Sequence, residues 1–181
     1  GEPQRFEHGA NCFAAQTYSD IPAKDGRRIQ IAWMRGGKYP GMPFNQQMTF
    51  PTTLTLHATD AGYRLRSQPV AEIESLRGES FTWNGELNDD ENPLEKLDGE
   101  AHEFVFTIEP ADAKRIVLDI REAELAYDVA TQELSFGESK ARAPLVDGKL
   151  TLRVLVDRAS VEAYANDGSI TLSNCFEPAP S

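Results

Sequence analysis

The chain has 181 residues, 40% hydrophobic and 26% charged, the balance of a folded globular protein and not of a disordered one. Its net charge of −11 is lopsided: residues 1–60 carry 6 Lys/Arg against 5 Asp/Glu, and the remainder carries 12 against 24. An acidic part of that size repels phosphate backbones and anionic lipid, which argues against nucleic acid and membranes as partners, and no apolar run approaches the roughly 18 residues of a membrane span.

Strand signals dominate in chain order. RRIQIAWM (27–34) alternates after the turn dipeptide Asp25-Gly26. Residues 33–51, WMRGGKYPGMPFNQQMTFP, are rich in glycine and proline and read as a long inter-strand loop with Met42, Phe44 and Met48 packed beneath it. TLTLHAT (53–59) and GYRLRSQ (62–68) flank Asp60-Ala61 as a hairpin. PVAEIESLR (69–77) opens on proline and spaces Val70, Ile73 and Leu76 at helical intervals, which predicts one or two helical turns. NDDENPLEKLDGE (88–100) reads as an exposed acidic loop. HEFVFTIE, RIVLDIR, AELAYDV, QELSFGE, KLTLRVLVD, ASVEAYA and SITLSNCF follow as strands. Asn166-Asp167-Gly168 joins the last two and suits the positive φ angles of a tight turn. Turn signals recurring mostly every 8 to 14 residues predict an all-β chain, an antiparallel sandwich or barrel.

Three blocks then carry a resemblance: FAAQTYSDIPAKDGRRIQIAWM, GMPFNQQMTFPTTLTL and GYRLRSQPVAEIESLR, at the spacing seen in glycoside hydrolase family 32, which contains invertases, levanases and inulinases. LRVLVDRASVEAYANDGSITLSNCF resembles the closing hairpin of that family's C-terminal module. The resemblance implies a parent enzyme with an N-terminal five-bladed β-propeller and a C-terminal β-sandwich. It divides this chain into residues 1–58 as the remnant of the last propeller blade, 59–76 as a connector with a short helical turn, and 77–181 as the sandwich. Gly1-Glu2-Pro3, without a methionine, reads as a cloning boundary or the remains of a removed tag.

Retaining glycoside hydrolysis needs a nucleophilic carboxylate and an acid/base carboxyl about 5–5.5 Å apart. In the resembled family these lie in Trp-Met-Asn-Asp-Pro-Asn and Glu-Cys motifs, with a transition-state-binding Asp in Arg-Asp-Pro. None of the three occurs here, so no catalytic residue is assigned. Glu72 and Glu74 are expected on the exposed connector, with Asp157 and Glu162 flanking the last hairpin. His8, His57 and His102 are scattered, and no Ser–His–Asp or Cys–His arrangement follows from spacing. Cys12 and Cys175 belong to no metal pattern and read as two free thiols, a disulfide between them staying open. No metal or cofactor is expected.

The resemblance implies Trp33, Tyr39 and Phe13 as neighbours of the parent's sugar pocket. Glu7-His8-Gly9 and Asn11-Cys12-Phe13 depart from the Asp-Tyr-Gly and Asp-Phe-Tyr of many relatives, and Gly36-Gly37 stands where inulinase-like members carry a second tryptophan. The function implied is a non-catalytic C-terminal portion of a β-fructosidase acting on sucrose, levan or inulin, with a stabilising sandwich. Its partners would be carbohydrate through the parent, and the missing propeller or a second copy of the chain. The alternative is a fructan-binding sandwich module that uses Phe81 and Trp83, two apart on one strand face, and Tyr164.

Overall fold

The computed structural model describes residues 5–60, 62–88 and 91–178. It is built from three four-stranded antiparallel sheets. The first contains β1 (Phe13–Thr17), β2 (Arg28–Trp33), β3 (Thr52–Thr59) and β4 (Gly62–Pro69), in that spatial order. Within residues 59–76, expected as a connector, β4 pairs with β3 along its whole length, from Thr52↔Pro69 to Thr59↔Gly62. A 3₁₀ turn over Ala71–Leu76 follows. Val70 and Ile73 are buried there as the spacing predicts, but Leu76, the last residue of the turn, is 76% exposed.

The other two sheets face each other as a sandwich. One runs β12 (Ile170–Cys175), β11 (Ser160–Ala165), β10 (Leu150–Asp157), β5 (His102–Ile108). The other runs β6 (Arg115–Ile120), β7 (Ala123–Asp128), β8 (Glu133–Phe136), β9 (Ser139–Arg142). Alternation explains the core. Leu150, Leu152, Val154 and Val156 of β10 point inward to meet Leu125, Tyr127, Leu134 and Phe136 of the opposite sheet. The Tyr127 hydroxyl, buried with its ring, donates to Ala143 O at 2.8 Å, and Asn174 Nδ2 donates across the sheets to Ser139 Oγ at 2.8 Å.

β11 is buried along its whole length, which a strand achieves only when covered on both faces. Val161, Ala163 and Ala165 enter the sandwich core. Ser160, Glu162 and Tyr164 face the other way, and there the first sheet and its loops cover them. Tyr164 and Leu155 join Ile29, Val70 and Ile73 in a second apolar cluster, with Ile21 and Phe50 against it. The seam between first sheet and sandwich is thus a core of its own.

Residues 77–101 contain no strand among those described. Phe81 and Trp83 therefore do not share a strand face; they lie in irregular chain, 54% and 39% exposed. The segment is anchored at its end by Glu103 of β5, which accepts from Arg77 Nη2 at 2.9 Å and from Arg153 Nε of β10 at 2.7 Å. The Arg77 hydrogen bond first, then the charges of Arg153 and Arg77, hold the Glu103 carboxyl below its usual value against the opposing effect of burial. A depressed carboxyl contributes stability that is present above its unfolded value, near about 4.5, and is lost as pH falls through the folded one. Glu103→Gln is expected to cost roughly 1.5–3 kcal/mol at neutral pH. The deficit should vanish in strong acid, as read from urea midpoints measured across pH.

Candidate functional site

Two of the three residues assigned to the sugar-pocket rim come together. Phe13 and Trp33 are register partners, and their rings meet edge to face with centroids 6.2 Å apart. One extra residue in β1 between the Phe13↔Trp33 and Gln16↔Ile31 pairs makes this possible: a bulge, with Ala14 at φ 49°, turns the strand end toward Trp33. The Arg35 guanidinium lies 4.7 Å from the Phe13 centroid, and Trp33 Nε1 donates to Gln46 Oε1 at 2.6 Å. Phe13 remains 49% exposed. Tyr39 belongs to another cluster. Its ring tilts against Phe44 at 5.3 Å, and its hydroxyl lies 3.5 Å from Cys175 Sγ.

The long loop after Trp33 is not floored by the methionines expected. Met42 is half-buried, Phe44 and Met48 are exposed, and Met34 is the fully buried methionine. Its returning limb serves a different purpose. Thr49 N donates to Ala32 O at 2.9 Å, Gln47 Nε2 reaches Ser160 Oγ at 2.6 Å, and Phe50 N donates to Glu162 Oε1 at 2.8 Å. The loop is thereby stitched to the sandwich.

The most concentrated chemistry lies in that seam. Residues 6–11 run alongside β12: Thr171 N donates to Phe6 O, His8 N to Thr171 O and Asn11 N to Ser173 O. Glu7, between them, accepts four hydrogen bonds, from Gly9 N (2.6 Å), Ser173 N (3.0 Å), Ser173 Oγ (2.9 Å) and Thr171 Oγ1 (2.8 Å). Both oxygens act only as acceptors, the pattern of a carboxylate. Glu162 lies in mid-strand of β11, 1% exposed, not flanking the hairpin as expected. It accepts from Phe50 N and, at 2.7 Å, from the Tyr164 hydroxyl. Burial dominates and pushes its carboxyl up to about 8, aided by the Glu7 and Asp157 charges and resisted by the two hydrogen bonds. The same surroundings push the Cys12 thiol up to about 12, burial first and then the charges of Glu7 and Glu162. Cys12 and Cys175 are both free and half-buried.

Glu7 and Glu162 line one cavity of about 10 Å³ together with Cys12, Gln30, Thr52 and Ser67. A wider, open groove of about 270 Å³ runs between residues 18–21 and 26–28. Its acidic lining is Asp20 alone, and its Arg27 is bound to Asp25 and Glu72 at 2.7 Å each. Tyr164, considered as an exposed sugar-stacking residue, is 4% exposed and hydrogen-bonded inside the seam, because its face of β11 is covered by the first sheet. The acidic character of Glu162 gave the sequence reading no signal of burial, since a Ser-x-Glu-x-Tyr alternation reads as a solvent face.

Two family models match successive parts of the chain. The model described as Glycosyl hydrolases family 32 N-terminal domain matches residues 1–69, and that described as Glycosyl hydrolases family 32 C terminal matches residues 72–181. The levanase of Bacillus subtilis (strain 168) is 31% identical over 201 residues, covering 95% of this chain and 30% of that protein. The raffinose invertase of Escherichia coli is 27% identical over 187 residues, covering 97% of this chain and 38% of that protein. Among solved structures, a family 32 beta-fructofuranosidase of Bombyx mori matches with a TM-score of 0.71 at 21% identity, over 97% of this chain and 38% of that one. An exo-inulinase of Aspergillus awamori matches at 0.68 and 19%, over 96% and 39%. The chain thus spans less than two fifths of the length of these relatives. The all-β architecture is that of blade strands followed by an antiparallel sandwich, and the chain belongs to glycosyl hydrolase family 32.

Proposed function

We propose that this chain is the C-terminal, non-catalytic portion of a family 32 enzyme whose whole form cleaves β-fructosidic bonds, in sucrose, levan or inulin, by a retaining mechanism. The relatives named levanase and raffinose invertase support the substrate class. One observation carries the non-catalytic reading. The two acids that share a cavity, Glu7 and Glu162, enclose about 10 Å³, room for roughly one water and none for a sugar ring. Each is engaged by donors of the seam, so neither is presented to a glycosidic oxygen. The sandwich acts as a support that buries one face of the blade strands. Carbohydrate is met through the propeller, with Phe13, Trp33 and Tyr39 at the rim of its pocket. The exposed β1 edge, together with Leu56 of β3 at 70% and Tyr63 of β4 at 75% exposure, meets the rest of the propeller or a second copy.

The purified chain is expected to release no fructose from sucrose, levan or inulin above a buffer blank, and to give no heat when titrated with levan. Turnover that co-purifies with the chain and disappears in Glu162→Gln would overturn the reading. Levan binding without turnover would favour a carbohydrate-binding module instead.

A further inference from the structure

We infer that the seam between blade sheet and sandwich is a proton-operated latch: Glu162 carries its proton when the blade is seated, and losing it loosens the blade from the sandwich. Donors are unequally supplied to the two acids that line one small cavity. Glu7 receives four hydrogen bonds, two of them from backbone N–H groups that cannot reverse. Glu162 receives one such bond, from Phe50 N; its other partner is the Tyr164 hydroxyl, a rotor that accepts as readily as it donates. The negative charge therefore belongs on Glu7 and the proton on Glu162. With Oε2 protonated, Glu162 donates to Tyr164 Oη and keeps the Phe50 bond, so the seam holds one charge in place of two.

The groups facing this acid reinforce the assignment. The N-terminal segment presents Glu7 and Cys12, with Arg5 acting on Cys12. β10 presents Asp157, while its Arg153 acts on Tyr164; β11 presents Tyr164 itself, and β12 presents Cys175, which touches Tyr39. From the blade side the cavity lining is neutral: Gln30, Thr49, Thr52 and Ser67. No cation is therefore supplied across the seam by those lining residues. Ionisation sends the proton to bulk water and leaves two carboxylates in a space too small to hydrate both.

The sign follows from a carboxyl raised on folding from 4.5 to about 8. Its stabilisation is whole below the unfolded value and is lost as pH rises through the folded one. The melting temperature of the 181-residue chain is therefore expected to fall by about 5–10 °C more than that of Glu162→Gln between about pH 5 and about pH 9. The amide of that variant reproduces both hydrogen bonds of the protonated acid. Over the same range, the protection factors against hydrogen exchange, taken relative to the intrinsic rate at each pH, should fall at Phe50 N and at Ser67 N, which bonds Gly168 O across the seam. Infrared spectra of the unsubstituted chain should show a protonated-carboxyl carbonyl band at pH about 7 that fades near pH about 8. Glu7→Gln, by removing the facing charge, should move that fading to lower pH. The band is read on the native protein, so the test stands even if Glu162→Gln fails to fold. Parallel melting curves for chain and variant, or a band absent at neutral pH, would overturn the latch.

Discussion

Gly168→Ala is expected to lower the melting temperature by about 5–15 °C, through a loss of roughly 2–5 kcal/mol. Two costs combine. Gly168 has φ +73°, a left-handed conformation that a Cβ penalises by about 1–2 kcal/mol. The larger cost is contact: the added Cβ would lie 1.9 Å from Ser67 O, a backbone atom of β4 that cannot rotate away. Ser67 N donates to Gly168 O at 2.9 Å, so relieving the clash breaks a hydrogen bond across the seam. Gly148→Ala supplies the control. Its φ is +77°, and nothing lies within 4 Å of where its Cβ would stand, so it should show the backbone cost alone. Gly9→Ala tests the other end of the seam, where the added atom would lie 2.1 Å from Ser173 O. Differential scanning calorimetry reads all three. Equal shifts for Gly168→Ala and Gly148→Ala would show that the seam tolerates the crowding.

Leu150→Ala is expected to cost about 2–5 kcal/mol, the range for removing a buried leucine from a close-packed core. Leu150 is fully buried at the start of β10, pairs with Ile108 of β5, and its side chain belongs to the core between the two sandwich sheets. Backbone ladders on both sides of β10 keep the strand from collapsing into the space left behind, which places the cost in the upper half of that range. Val105→Ala, on neighbouring β5 but 70% exposed, should change stability by less than about 0.5 kcal/mol. Denaturant midpoints at constant slope distinguish the two. If the variants proved equal, the core would not lie where the alternation of β10 puts it.

Much of this was legible beforehand for a definite reason. Asn166, Asp167 and Gly168 all take positive φ, as their side chains tolerate best, and the hairpin they close is β11–β12. Leu150, Leu152, Val154 and Val156 alternate because a strand sends successive side chains to opposite faces, so local order alone marked a core face. The pairing of Phe13 with Trp33 was half legible: both aromatics stood out, but the bulge at Ala14 that joins them is a departure from regular register that composition does not announce.

The amino-acid order by itself determined most of the strands, the β11–β12 turn and the inward face of β10, because those depend on near neighbours and on a period of two. Whether the outward face of β11 meets water or protein was decided by tertiary structure alone. Ser160, Glu162 and Tyr164 have the polarity of a wetted surface, yet each is 4% exposed or less, since segments more than a hundred residues away in sequence supply the covering and the hydrogen bonds. Burial of an ionisable group depends on what comes to lie over it, and that is a property of the assembled sheets that no run of adjacent residues contains.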